Sequence, residues 1–175
     1  MPTQHPLQTL ITTFHKHYST SIAHANALTS LYSQLEAAQY YLKSPLPSSL
    51  VEFPDLPSRL IKTIEGKVTQ HIEICQNCLQ DMKTIIKKMM NIRTDIIRKV
   101  NLEGIKLPSS FNHTTTRIAD GIDTLVHMYK REVDLLDILI GEMEKGDCSR
   151  WDKMEYIDAK VEKDIIDTFN DLNCE

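Results

Sequence analysis

Between Leu56 and Val100 apolar residues recur at Leu60, Ile64, Val68, Ile72, Cys75, Leu79, Met82, Ile86, Met89, Ile96 and Val100, in steps of three and four with one missed step of seven. That spacing marks a helical seam, not a strand, and Pro57 to Pro108 holds no proline and only Gly66 and Gly104 to interrupt it. The pattern predicts one helix over 57–101, on the order of 65 Å long at about 1.5 Å per residue. Ile61, Ile74, Cys78, Ile85, Met90, Ile92 and Ile97 widen its apolar face, as in a helix contacted from two sides by others. A similar spacing at Leu7, Leu10, Phe14, Ile22, Ala25, Leu28, Tyr32, Leu35 and Leu42, flanked by Ile11, Tyr18, Leu31 and Ala38, predicts a first long helix over 7–42.

From 43 to 57 the residues Pro45, Pro47, Pro54 and Pro57 predict an extended connector, and its Leu46, Leu50, Val51, Phe53 and Leu56 suggest that it lies along a surface. Asp55 or Ser58 is expected to cap the long helix, with Pro57 in its first turn. Gly104 and Pro108 place a second turn between Leu102 and Asn112. A third helix is expected over 114–145, capped by Thr114 to Thr116, with Ile118, Ile122, Leu125, Met128 or Tyr129, Val133, Leu136, Leu139, Ile140 and Met143 inward and Gly146 ending it. A fourth, over 150–172, would turn Trp151, Met154, Ile157, Val161, Ile165, Phe169 and Leu172 to one side. The expectation is an all-α single domain over 1–175, an elongated antiparallel bundle or coiled coil of two long and two shorter helices.

Composition narrows the function more than the fold. Apolar residues at 41% with aromatics at only 6% suit helices, and five glycines are few for an enzyme built on nucleotide-binding turns. A net charge of -4 gives no global attraction to nucleic acid or to acidic membranes. The charge is uneven, however. Lys83, Lys87, Lys88, Arg93, Arg98 and Lys99 face only Asp95 in their stretch, while the chain after Glu132 is rich in acids. The simplest expectation is that this basic flank packs beside the acidic C-terminal helices, without direct nucleic-acid contact, since no aromatic stackers are interleaved with it. No apolar window reaches 18 residues and the start lacks a signal-peptide pattern, so the chain is expected to be soluble and intracellular.

Candidate chemistry is sparse. Cys75-Gln-Asn-Cys78 has the spacing of a redox or zinc half-site, but both positions already belong to the apolar face and no second close pair exists. His15, His17 and His24 lie on the first helix with no two of them four apart. There is no phosphate-cradling Gly-rich loop, no GxSxG, no HExxH and no carboxylate pair in an apolar surround, so no enzyme, cofactor or metal is expected. The lone Trp151 is either a core plug or an anchor for a partner.

Gln34-Leu-Glu-Ala-Ala-Gln39, Phe53-Pro-Asp-Leu56 with Arg59-Leu60, and Arg150-Trp-Asp-Lys153 before a last Asp-rich helix resemble, in order and approximate spacing, the ribosome maturation factor AIRIM family. The stretch after Arg59 departs most from the family pattern, and the segment between the third and fourth helices is shorter. The resemblance implies a non-enzymatic subunit of an assembly of hexameric AAA ATPases related to valosin-containing protein, paired with a small helical protein like CINP. It implies a role in large ribosomal subunit maturation, with a further link to protein turnover at replicating chromatin, in cytoplasm and nucleus. Partner-binding candidates are Phe53, Leu56, Arg59, Trp151, Ile165 and Phe169. The rival expectations are a structural coiled-coil subunit of another assembly, an RNA-binding factor using 83–99, and a thiol or zinc site at Cys75 and Cys78.

Overall fold

In a computed structural model, described for residues 6–43, 52–103, 109–148, 150–151 and 154–171, the chain is all helical, with no strand among those residues. The four helices are α1 (Pro6–Lys43), α2 (Leu56–Glu103), α3 (Ser109–Met143) and α4 (Ala159–Asp171). Leu46, Leu50 and Val51, the expected turn at Gly104 and Pro108, and Leu172 lie outside the described residues.

Each helix end has a local cause. α1 stops at Lys43, two residues before Pro45, because a proline pushes its predecessor out of the helical region. At the start of α2, Arg59 N–H donates to the Asp55 carbonyl (3.0 Å), so Asp55 is the capping residue and Pro57 occupies the first turn, where its missing N–H is not needed. α3 closes on Gly146, whose φ of 94° is the left-handed conformation that glycine alone adopts freely. Asp147 N–H donates to Glu142 O and Gly146 N–H to Met143 O, a Schellman cap.

Two boundaries differ from the sequence expectation. α3 begins at Ser109, five residues before the Thr114 to Thr116 caps, directly after Pro108. α4 begins at Ala159 instead of 150, because Asp158 caps it: its Oδ1 accepts from Lys160 N–H (2.9 Å) and Val161 N–H (3.3 Å). Trp151, Met154 and Ile157 stand at helical spacing but lie on non-helical backbone.

The chain forms two compact units. The first comprises the described residues of Met1–Tyr18, Gln80–Leu135 and Met154–Glu175, the second those of Ser19–Leu79 and Leu136–Lys153. In the first, Phe14 stacks on Tyr129 (centroids 4.2 Å apart, planes 7° from parallel) and Tyr18 reaches Glu132, so α1 and α3 run in the same direction there. Glu162 lies beside Tyr129 and Ile165 packs on Gly121, so α4 runs against α3. In the second, Cys75 Sγ donates to Ser21 O, His24 meets His71, and Leu31 and Ala38 pack with Ile64, so α1 and α2 run in opposite directions.

The buried side of α1 is Leu7, Ile11, Phe14, Tyr18, Ser21, Ala25, Leu28, Leu31 and Ala38. Ile11, Tyr18, Leu31 and Ala38, expected at the flank, are the core positions, whereas Leu42 is exposed. All the inward positions predicted for α3, with Tyr129 in place of Met128, are buried.

Candidate protein-interaction surface

The register set by Ser21 with Cys75 and by His24 with His71 brings the last turn of α1 level with the first turn of α2, all within the second unit. A small core of Leu31, Ala38 and Ile64, with Leu35, Ile61 and Val68 against it, joins the two helices near this end. Beyond that core the apolar residues turn outward. Tyr40 is 66% exposed, Leu42 52%, Phe53 59%, Leu56 44% and Leu60 47%, and Tyr41 is exposed as well. The Tyr40 and Tyr41 rings meet edge to face at 5.9 Å. Scattered single apolar residues are ordinary on a surface, but six within two adjoining helix ends form the kind of grouping that marks a protein contact. Arg59 is exposed on the same first turn of α2.

Three of the six partner-binding candidates, Phe53, Leu56 and Arg59, therefore stand together on this end. The other three do not join them. Trp151 is 2% exposed and is the largest fully buried side chain, a plug in the second unit. Phe169 is buried on α4, and Ile165 lines a cleft of about 260 Å³ between α3 and α4 with Arg117, Gly121, Asp164 and Thr168. Sequence reasoning missed Tyr40, Tyr41, Leu42 and Leu60 as surface residues because it placed Leu42 and Leu60 on the seams. The available signal was position: these seams run on to the proline-rich connector, past the last layer that another helix can cover.

The other chemical groups are dispersed. His15 bonds Glu162 (2.9 Å), His17 lies 3.5 Å from Asp81, and the His24 and His71 Nδ1 atoms are 2.7 Å apart. The three histidines of α1 thus have three separate partners, and no group of three or more His, Cys, Asp or Glu that could hold a metal occurs among the described residues. Burial pushes the Cys75 thiol up to about 12, with Cys78 and Cys148 adding to the shift, so it stays protonated and a poor nucleophile at neutral pH. Glu132 is a buried carboxylate that sequence reasoning also missed, although its spacing from Leu125, Tyr129 and Leu136 puts it on the α3 seam.

The basic flank departs from its expectation. Arg93 pairs with Asp123 (2.5 Å), but Lys87, Lys88, Arg98 and Lys99 are exposed and no carboxylate is paired with them among the described residues. No helix of the described residues is long and apolar enough to cross a membrane. No family model, curated protein or solved structure matches this chain.

Proposed function

We propose that the chain is a non-enzymatic adaptor that holds a second protein on the exposed apolar end formed by α1 and α2. The observation that carries this is the coincidence of two features in one place. Phe53-Pro-Asp-Leu56 and Arg59-Leu60, which carry the resemblance to the AIRIM family, supply three of the six outward-facing apolar residues. On that reading the partners are a hexameric AAA ATPase of the valosin-containing-protein-like class and a CINP-like small helical protein. The work is large ribosomal subunit maturation, with protein turnover at chromatin beside it, in cytoplasm and nucleus. An elongated antiparallel arrangement of α1 to α3, continuing as a coiled coil, would suit such a linking role.

The test is affinity purification of tagged chain at low salt with a non-hydrolysable ATP analogue, beside the Phe53→Ser/Leu56→Ser/Leu60→Ser variant. The reading expects an ATPase and a small helical protein with the natural chain, and their loss from the variant with an unchanged thermal melt, since these side chains are already about half exposed. Recovery of coiled-coil proteins without an ATPase, or full retention of the ATPase by the variant, would refute it.

A further inference from the structure

Lys87, Lys88, Arg98 and Lys99, which have no carboxylate partner among the described residues, lie on one helical side of α2. Taking 100° per residue, Gln80, Thr84, Lys87, Asn91, Thr94 and Arg98 form its centre line and Lys88, Asp95 and Lys99 its flank, and each of these nine residues is exposed. Asp95 is the only carboxylate among them. Arg93 is turned the other way and is already engaged by Asp123, so it belongs to the fold and not to this face. Asp81, at the angle of Lys99 but at the start of this side, is exposed and lies 3.5 Å from His17, so a chain with an overall charge of -4 carries here a local surface of four cations against two anions.

We propose that this face of α2 binds the phosphate backbone of a nucleic-acid duplex. From Lys87 to Arg98 the helix advances about 16 Å, over which one strand of a duplex presents about five phosphates. Lys and Arg with Asn91 and Thr94 between them are the side chains that contact phosphate and sugar oxygens. The face has no aromatic residue to stack on unpaired bases, which favours a duplex over a single strand. An acidic protein partner fits less well. A protein contact needs a desolvated apolar centre, and among the described residues the one apolar side chain beside this face is Met90, itself half exposed. The inference is independent of the adaptor reading, because it uses another unit of the chain and none of the residues at the α1 and α2 ends.

Fluorescence anisotropy of labelled 20-base-pair RNA and DNA duplexes with the full chain, across 50 to 300 mM KCl, tests it. Binding in the micromolar range at low salt is expected, with log K falling against log salt with a slope of about -3 to -4, the value for four phosphates released from counterions. Lys87→Gln/Lys88→Gln should weaken binding about tenfold or more and reduce the slope by about 2, with an unchanged melt. Lys62→Gln/Lys67→Gln, an equal loss of charge elsewhere on α2, should leave both unchanged. Equal affinity for the two duplexes means that phosphates alone are read, and tighter binding of RNA means that A-form shape is read as well; either supports the proposal. Absence of binding at 50 mM KCl, equal effects of the two double variants, or tighter capture of polyglutamate than of either duplex would overturn it.

Discussion

Glu132 sits with no exposed surface on α3, where its Oε2 accepts from Tyr156 N–H (3.0 Å) and the Tyr18 side chain lies nearby, while its Oε1 has no hydrogen-bond partner among the described residues. Burial raises its pKa above the ordinary carboxylate value of 4.5, Glu155 adds to the rise, and the hydrogen bonds oppose it. Two effects of opposite sign therefore meet at one side chain. Glu132→Ala leaves Tyr156 N–H without its acceptor, at about 1–3 kcal/mol, and opens a void that adds about 1–2 kcal/mol, so we expect a loss of about 2–5 kcal/mol. Against a total stability of about 5–15 kcal/mol, that is a large fraction. Glu132→Gln keeps an acceptor oxygen and most of the volume. It weakens the bond from Tyr156 N–H by about 1 kcal/mol, but it also removes the desolvation of a buried charge, so near neutrality it should fall within about 1 kcal/mol of the natural chain.

The pH dependence separates these contributions. Because the folded pKa is raised, the stability that Glu132 adds is fully present below 4.5 and is lost as pH rises through the folded value. Urea unfolding followed by helical circular dichroism at pH 4.5, 6 and 7.5 should show the natural chain losing ground to Glu132→Gln as pH increases. A difference that is independent of pH, or that grows in favour of the natural chain toward neutral pH, would mean that the carboxylate is stabilised by something other than its protonated state, and the burial reasoning would fail.

Three further outcomes follow from the same geometry. Trp151, the only tryptophan, should be shielded from iodide quenching in the folded chain, and Trp151→Ala should cost about 3–5 kcal/mol; strong quenching would show that the ring is not a plug. Burial and then the neighbouring His71 lower the pKa of His24, so its share of stability is present above 6.5 and is lost as pH falls through the folded value; His24→Leu should lessen the fall in melting temperature between pH 7.5 and 5.5, and an unchanged fall would refute this. A Cβ on Gly121 would lie 3.3 Å from Ile165 Cγ2, so Gly121→Ala should stay within about 1 kcal/mol of the natural chain, whereas Gly121→Leu should speed amide exchange in α4; unchanged exchange in the leucine variant would mean that α4 does not depend on this approach.

The helical class and most of α1, α2 and α3 were legible because apolar spacing reports directly on which side of a helix loses contact with water. The start of α4 was not, because spacing cannot distinguish a helix from an irregular segment whose apolar residues happen to fall at the same step and to be buried or half-buried. Trp151, Met154 and Ile157 keep the three-residue step without helical backbone, and what decides the boundary is the Asp158 side chain, a single hydrogen-bonding group. The interaction surface was half legible. Phe53, Leu56 and Arg59 could be singled out, but whether an apolar side chain is covered depends on the lengths of neighbouring helices, which its own spacing does not contain.

The one missed step in the α2 seam shows how far pattern can be pushed. A continued seam would put an apolar residue at 93, between Met89 and Ile96, and the chain places Arg93 there, paired to Asp123. Among the described residues Met89 is the last fully buried residue of α2, and Ile92, Ile96 and Ile97 beyond it are only partly covered. At the other end Leu56 and Leu60 precede the first buried aliphatic residue, Ile64. Among the described residues core packing therefore uses the middle of α2, from Ile64 to Met89, while Leu56 to Leu60 on one side and Met90 to Lys99 on the other extend past it with side chains that are exposed or only partly covered. One end is apolar and the other basic, which is a composition for two different kinds of partner. The length of α2 thus exceeds what its own core requires, and the excess coincides with the two surfaces proposed to bind.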